Sequence, residues 1–113
     1  MAETARLICA SADLVDGGRG VRFDLLTGAA PQSAFVVRHA GRVYGYLNRC
    51  AHIGVELDWQ PGEFFDETGL YLVCTTHGAT YLPDSGMCIA GPCRGARLEQ
   101  LDVYELDGGI YLK

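Results

Sequence analysis

An all-β, antiparallel, loop-rich fold is what this sequence predicts, on three observations. Fifteen Gly and four Pro in 113 residues supply many tight turns. Apolar residues recur at every second position in short runs such as Val21, Phe23 and Leu25, the period of a strand with one buried face. No segment carries a sustained 3.6-residue period with capping residues, so no long helix is expected.

The elements follow in chain order. Leu7-Ile8-Cys9-Ala10 is a short apolar run and the first strand. Asp13 to Gly20 contains Asp16-Gly17-Gly18 and reads as a turn. Val21 to Leu25 is the second strand, broken by Gly28 to Pro31. Ala34-Phe35-Val36-Val37-Arg38 and Arg42-Val43-Tyr44-Gly45-Tyr46-Leu47 flank His39-Ala40-Gly41 as a hairpin, which delivers the chain into Asn48-Arg49-Cys50. His39, at the tip, reads as a solvated turn residue. Trp59, Phe64 and Phe65 read as packing of the following stretch onto the sheet, with Pro61-Gly62 and Asp66-Glu67-Thr68-Gly69 as loop and turn. Leu70-Tyr71-Leu72-Val73 is a strand that ends at Cys74, and Thr80-Tyr81-Leu82 leads away again. Gly86 to Gly95 reads as irregular. A last hairpin pairs Leu101 to Leu106 with Ile110-Tyr111-Leu112 around Asp107-Gly108-Gly109.

Length and composition (49% apolar, 20% charged) fit one globular domain over residues 1–113. The formal charge of −5 argues against nucleic acid, whose phosphates demand a basic face. It suits docking on a basic patch of a partner protein. No stretch approaches the ~20 apolar residues of a membrane span. The first residues show no basic run followed by an apolar one, so no membrane association and a cytoplasmic location are expected.

Chemistry concentrates in two short motifs, Cys50-Ala51-His52 and Cys74-Thr75-Thr76-His77. Residues 53–73 between them are enough for a strand out and a strand back, so two loop tips can offer two sulfurs and two nitrogens to one centre. That donor set suits either a tetrahedral zinc site or a [2Fe–2S] centre with His in place of Cys on one iron. Zinc fingers usually pair like with like; here each loop gives one Cys and one His, which suits a centre with two chemically different ends. No nucleophile–base pair, phosphate-binding Gly motif or second metal constellation is visible.

The pattern C-x-H, spacer, C-x-x-H resembles the Rieske family. Gly78 after the second His, Tyr81 four residues beyond it, Asp84-Ser85-Gly86 and Gly91-Pro92 extend the resemblance from Asn48 to about Leu98. It implies an antiparallel β-sandwich of the Rieske type with a small cluster-binding lobe at about residues 48–96. It implies one [2Fe–2S] cluster per chain, with Cys50 and Cys74 on the inner iron and His52 and His77 on the outer one. Tyr81 matches the family tyrosine whose hydroxyl bonds a ligand sulfur, and Gly91-Pro92 matches the loop that covers the cluster. Two departures stand out. Val55 and Thr76 occupy the positions where high-potential members carry a disulfide, and Ala79 replaces a serine that hydrogen-bonds a bridging sulfide. Both point to a potential in the lower half of the Rieske range. Cys9 reads as a small buried hydrophobe. Cys88 and Cys93 bracket the Gly-Pro turn closely enough for a bridge, with plain packing beside the cluster as the alternative that a reducing compartment favours.

The role this resemblance implies is a stand-alone ferredoxin, not itself an enzyme, moving one electron from a flavin reductase to a terminal oxygenase. The alternatives are a small redox subunit or accessory protein of a reductase of the nitrite reductase type, and a Cys2His2 zinc-stabilised interaction module.

Overall fold

The structure, a computed structural model, describes residues 6–27, 30–51, 56–58, 60–74, 78–91 and 95–113. Ten strands account for the regular elements: β1 (Arg6–Ala10), β2 (Val21–Thr27), β3 (Ala30–His39), β4 (Arg42–Leu47), β5 (Leu72–Cys74), β6 (Ala79–Tyr81), β7 (Cys88–Ala90), β8 (Gln100–Leu101), β9 (Val103–Leu106) and β10 (Gly109–Leu112). One 3-10 turn, Ser11–Asp13, follows β1. Among the described residues no helix is long and apolar enough to cross a membrane.

The strands form three antiparallel sheets, in the orders β1-β10-β9, β2-β3-β4-β8 and β5-β6-β7. The second sheet lies in the middle, and β3 shows why. Ala34, Phe35, Val36 and Val37 are all fully buried, and successive side chains of a strand point to opposite faces. Ala34 and Val36 pack with Phe23, Leu47 and Ile110 against the terminal sheet. Phe35 and Val37 pack with Tyr46, Phe64, Leu72, Tyr81 and Leu98 on the other side, against the third sheet and its loops. A continuous apolar run is the signature of a strand covered on both faces.

The β3–β4 hairpin turns through Ala40 (φ 51°) and Gly41 (φ 81°), two successive left-handed residues, the geometry whose twist matches its flanking strands. His39 pairs with Arg42 and closes the ladder. It is half-buried with its ring 6.2 Å from that of Phe65, so it is a packed strand residue rather than a solvated tip. β3 also begins earlier than expected, running through Pro31. Pairing with β4 reaches only as far as Ala34, so at residues 30–33 β3 has a ladder neighbour on one side alone and a missing N–H is tolerated there.

The expected strand before Cys74 is shorter, since Leu70 is exposed and the ladder starts at Leu72. Conversely, Cys88–Ala90 forms a strand where irregular chain was expected. Tyr81 pairs with Cys88 and Thr80 with Ala90 across a register shift, and a bulged three-residue strand leaves almost no periodic signal. Phe64 lies flat on Phe35, ring centroids 3.9 Å apart, pinning the spacer to the central sheet; Trp59 lies outside the described residues.

One ion pair ties the central sheet to the terminal one. Arg38 of β3 donates from Nη1 and Nη2 to the two carboxylate oxygens of Glu105 of β9, at 3.0 and 2.7 Å. These bonds hold the Glu105 carboxyl down at about 2.

Candidate metal centre

Both cysteines sit where paired strands end. β4 stops at Leu47, and three residues later Cys50 is buried with 1% of its surface exposed. Cys74 is the last residue of β5, paired with Ala79 of β6, and is fully buried. The N–H of Gly78 donates to the carbonyl of Cys74 at 2.8 Å, closing the turn that joins the two strands. A buried thiol at the end of a hydrogen-bonded strand has its position set by the sheet, as a fixed metal ligand requires. His52 and His77, the two nitrogen donors expected from the sequence, lie outside the described residues.

Tyr81 connects the two loops. It is fully buried on β6, the strand that leaves the second loop, yet its Oη lies 3.2 Å from Cys50 Sγ in the first. The same oxygen accepts the N–H of Ala51 at 3.0 Å. A Cys50 thiolate has no hydrogen to give, so in the ligand form this contact is one in which the Tyr81 hydroxyl donates to the sulfur.

A third segment closes over the site. The N–H of Cys88 donates to the carbonyl of Ala96 at 2.8 Å, and the N–H of Gly95 donates to the carbonyl of Cys88 at 3.1 Å, which draws Gly95 and Ala96 back beside the start of β7. Gly91 has φ 95°, and a Cβ there would stand 2.9 Å from Ala79 Cα. The loop therefore lies against the exit of the second ligand loop at a distance only glycine allows. Cys88 is buried, and its thiol donates to the carbonyl of Ala90 at 3.2 Å. Pro92 and Cys93 lie outside the described residues, and so does the disulfide question.

Two residues important to this site escaped the sequence reading. Asn48 and Asp58 are the buried polar residues among the described ones, and the Asn48 amide donates to the Asp58 carboxylate at 2.8 Å. The available signal was a pair of polar residues at each end of a ligand loop, one abutting a strand, but nothing in the spacing says that they meet.

The residues present fit a [2Fe–2S] cluster. Both cysteine sulfurs belong to buried residues, Cys50 Sγ lies beside the Tyr81 hydroxyl, and Gly91 packs at backbone distance on Ala79, the neighbour of Cys74 in the β5–β6 pair. With two imidazoles the donor set is the one that distinguishes such a centre from an all-thiolate one. Among the described residues, which exclude His52 and His77, no group of three or more His, Cys, Asp or Glu side chains is placed to hold a metal.

Comparison with known proteins agrees on the fold. The chain is similar to the Sphingomonas yanoikuyae B1 ferredoxin, with 21% identity and a TM-score of 0.74 over 97% of this chain and 98% of that one. It is similar to the ferredoxin of carbazole 1,9a-dioxygenase from Nocardioides aromaticivorans IC177, with 23% identity, a TM-score of 0.72 and 97% of each chain covered. The terminal oxygenase of carbazole 1,9a-dioxygenase from the same organism matches with 21% identity and a TM-score of 0.77, but only 29% of its length is covered, against 96% of this chain. No curated protein matches the chain. The sequence itself matches the Rieske [2Fe-2S] domain from residue 5 to residue 105, a span that takes in β1 to β8 and both Cys-His motifs, and the chain therefore belongs to the Rieske [2Fe-2S] domain family.

Proposed function

We propose that this protein is a small Rieske-type ferredoxin that carries one electron between a flavin reductase and a terminal oxygenase. In this reading Cys50, His52, Cys74 and His77 hold one [2Fe–2S] cluster per chain within a lobe spanning about residues 48–96, and the whole chain is one domain. The observation that carries it is the stitch from Tyr81 to Cys50, which joins the two ligand loops and aims a hydrogen-bond donor at a buried sulfur.

Bound there, the cluster supplies a one-electron couple near neutral pH. The chain's own residues do the rest. Cys50 and Cys74 offer thiolates shielded from water, and Tyr81 withdraws electron density from one of them, which eases the arrival of an electron. The 14 Asp and Glu against 9 Lys and Arg suit encounter with a basic partner surface. The near-complete overlap in length with two ferredoxins supports a carrier rather than a catalytic subunit.

The test is elemental and spectroscopic. Protein purified from iron-replete cells should be red-brown, with equal iron and acid-labile sulfide, and should give a rhombic paramagnetic signal after dithionite reduction. A colourless protein with one zinc per chain would overturn the carrier in favour of a zinc-stabilised module. Reduction by a flavoenzyme recovered from the native extract then separates an oxygenase ferredoxin from a reductase subunit.

A further inference from the structure

We propose that Asn48, Asp58 and Arg22 form a polar clasp that closes the first ligand loop at its base and thereby positions the Cys50 sulfur. The proposal rests on the reading of Cys50 as a cluster ligand and adds three positioning residues to it.

On both sides of residues 52–55 the chain is locked by side chains, at Asn48 before them and at Glu56 and Asp58 after them. Asn48 is buried, two residues before Cys50. Its Oδ1 accepts the N–H of Leu57 at 2.8 Å, and its Nδ2 donates to Asp58 Oδ1 at 2.8 Å and to Ser33 Oγ at 3.3 Å. The orientation of the amide is fixed by these partners, since an N–H needs the oxygen and a carboxylate needs the NH2. Asn48 is also tied to β3 through its own backbone N–H, which donates to the carbonyl of Ser33 at 2.8 Å. On the other side, Asp58 Oδ2 accepts the N–H of Gly62 at 2.9 Å, with Arg22 Nε of β2 at 3.5 Å. Arg22 reaches further, donating from Nη2 to Glu56 Oε2 at 2.6 Å. Every partner of the fully buried Asp58 carboxylate is a donor, the set an anion needs.

These contacts make the two ends of the loop a single rigid unit attached to the central sheet. Tyr81 then has a fixed sulfur to meet from the opposite side. A buried, fully satisfied polar network specifies one arrangement, because any other leaves a charge or an amide without a partner. An apolar closure of the same loop would permit sliding; this one does not.

The pair can be reversed, and that supplies the test. In Asp58→Asn two NH2 groups would face each other, and in Asn48→Asp two carboxylates would. In the double variant Asn48→Asp/Asp58→Asn the new carboxylate accepts from Leu57 N–H and from the new amide, whose oxygen accepts from Gly62 N–H. The readouts are loss of iron to a chelator, the paramagnetic signature of the reduced protein, and hydrogen exchange at Leu57 and Gly62. Each single variant should lose iron about tenfold faster, with an altered paramagnetic signal, as expected for one broken buried hydrogen bond. The double variant should return all three readouts to within about twofold of the parent. Arg22→Gln, which alters only a part-exposed arm, should act in the same direction and by less. Single variants that match the parent, a double variant no better than the singles, or an inert Arg22→Gln would each overturn the clasp. Hydrogen exchange is read whatever the metal, so a parent that holds zinc defeats the electron-carrier reading while the clasp is still decided by the two amides.

Discussion

The hydroxyl of Tyr81 stands 3.2 Å from Cys50 Sγ although Tyr81 ends strand β6 and Cys50 follows β4, 31 positions apart. The oxygen accepts from Ala51, and with Cys50 as a thiolate its hydroxyl donates to the sulfur, so a single side chain then couples the geometry of the first loop to its electronics. Tyr81→Phe keeps the buried ring and removes only that oxygen. The reduction potential should fall, because a thiolate without its donor is more electron-rich and resists further charge. Stability should drop by about 1 kcal/mol from the orphaned amide. Voltammetry and thermal melts of the two proteins check both, and an unchanged potential would remove Tyr81 from the electronic role.

The absolute potential is the second prediction. Rieske centres span about −150 to +300 mV, and this one should lie below about +75 mV. Ala79 has no hydroxyl to give, and it is fully buried beside Cys74 in the β5–β6 pair. A value near the top of the range, measured by protein-film voltammetry, would mean that another donor takes over that duty.

Loss of any one ligand should empty the site. Cys50→Ser, Cys74→Ser, His52→Ala and His77→Ala should each abolish the visible absorption and leave iron far below one cluster per chain. The melting temperature should fall as well, since metal binding to two loops is also folding free energy. Chelation of the parent should reproduce the same loss of stability, and a variant that kept full colour would strike its residue from the ligand set.

Gly91→Ala tests the cover. The added Cβ meets Ala79 Cα at 2.9 Å, and φ of 95° is unfavourable for any other residue. The substitution should cost about 1–3 kcal/mol and push the loop away from the site. Faster bleaching of the reduced protein by oxygen would report the opened cover; identical bleaching would show that the loop gives way elsewhere.

Acid sensitivity has a distinct source at the far side of the molecule. Glu105 is held at about 2 by Arg38, below the 4.5 of a free glutamate, so its contribution to stability is complete above pH 4.5 and disappears as pH falls toward 2. Melting temperatures of the parent and of Glu105→Gln should therefore differ most above pH 5 and converge as pH is lowered toward 2. A gap that stays constant over that window would show that the ion pair contributes no proton linkage.

Much of this protein is written locally. The spacing Cys50-x-His52 and Cys74-x-x-His77 names a donor set, and the turns at Gly41 and at Asp107-Gly108 follow from residues that tolerate positive φ. These features need only neighbours in the chain, so the sequence alone determined the all-β class, both ligand loops and the family resemblance. Partnership between distant segments is another matter. β8 joins the central sheet and β9, one residue later, joins the terminal one, and no periodicity announces that Asp102 is where the chain changes layers. The family resemblance already pointed the Tyr81 hydroxyl at a ligand sulfur without saying which one, while nothing in the spacing linked Asn48 to Asp58. Only tertiary structure decided that the first meets Cys50 and that the other two meet each other, because burial and hydrogen-bond satisfaction depend on which strands stack, and stacking is settled by the packing of the whole chain.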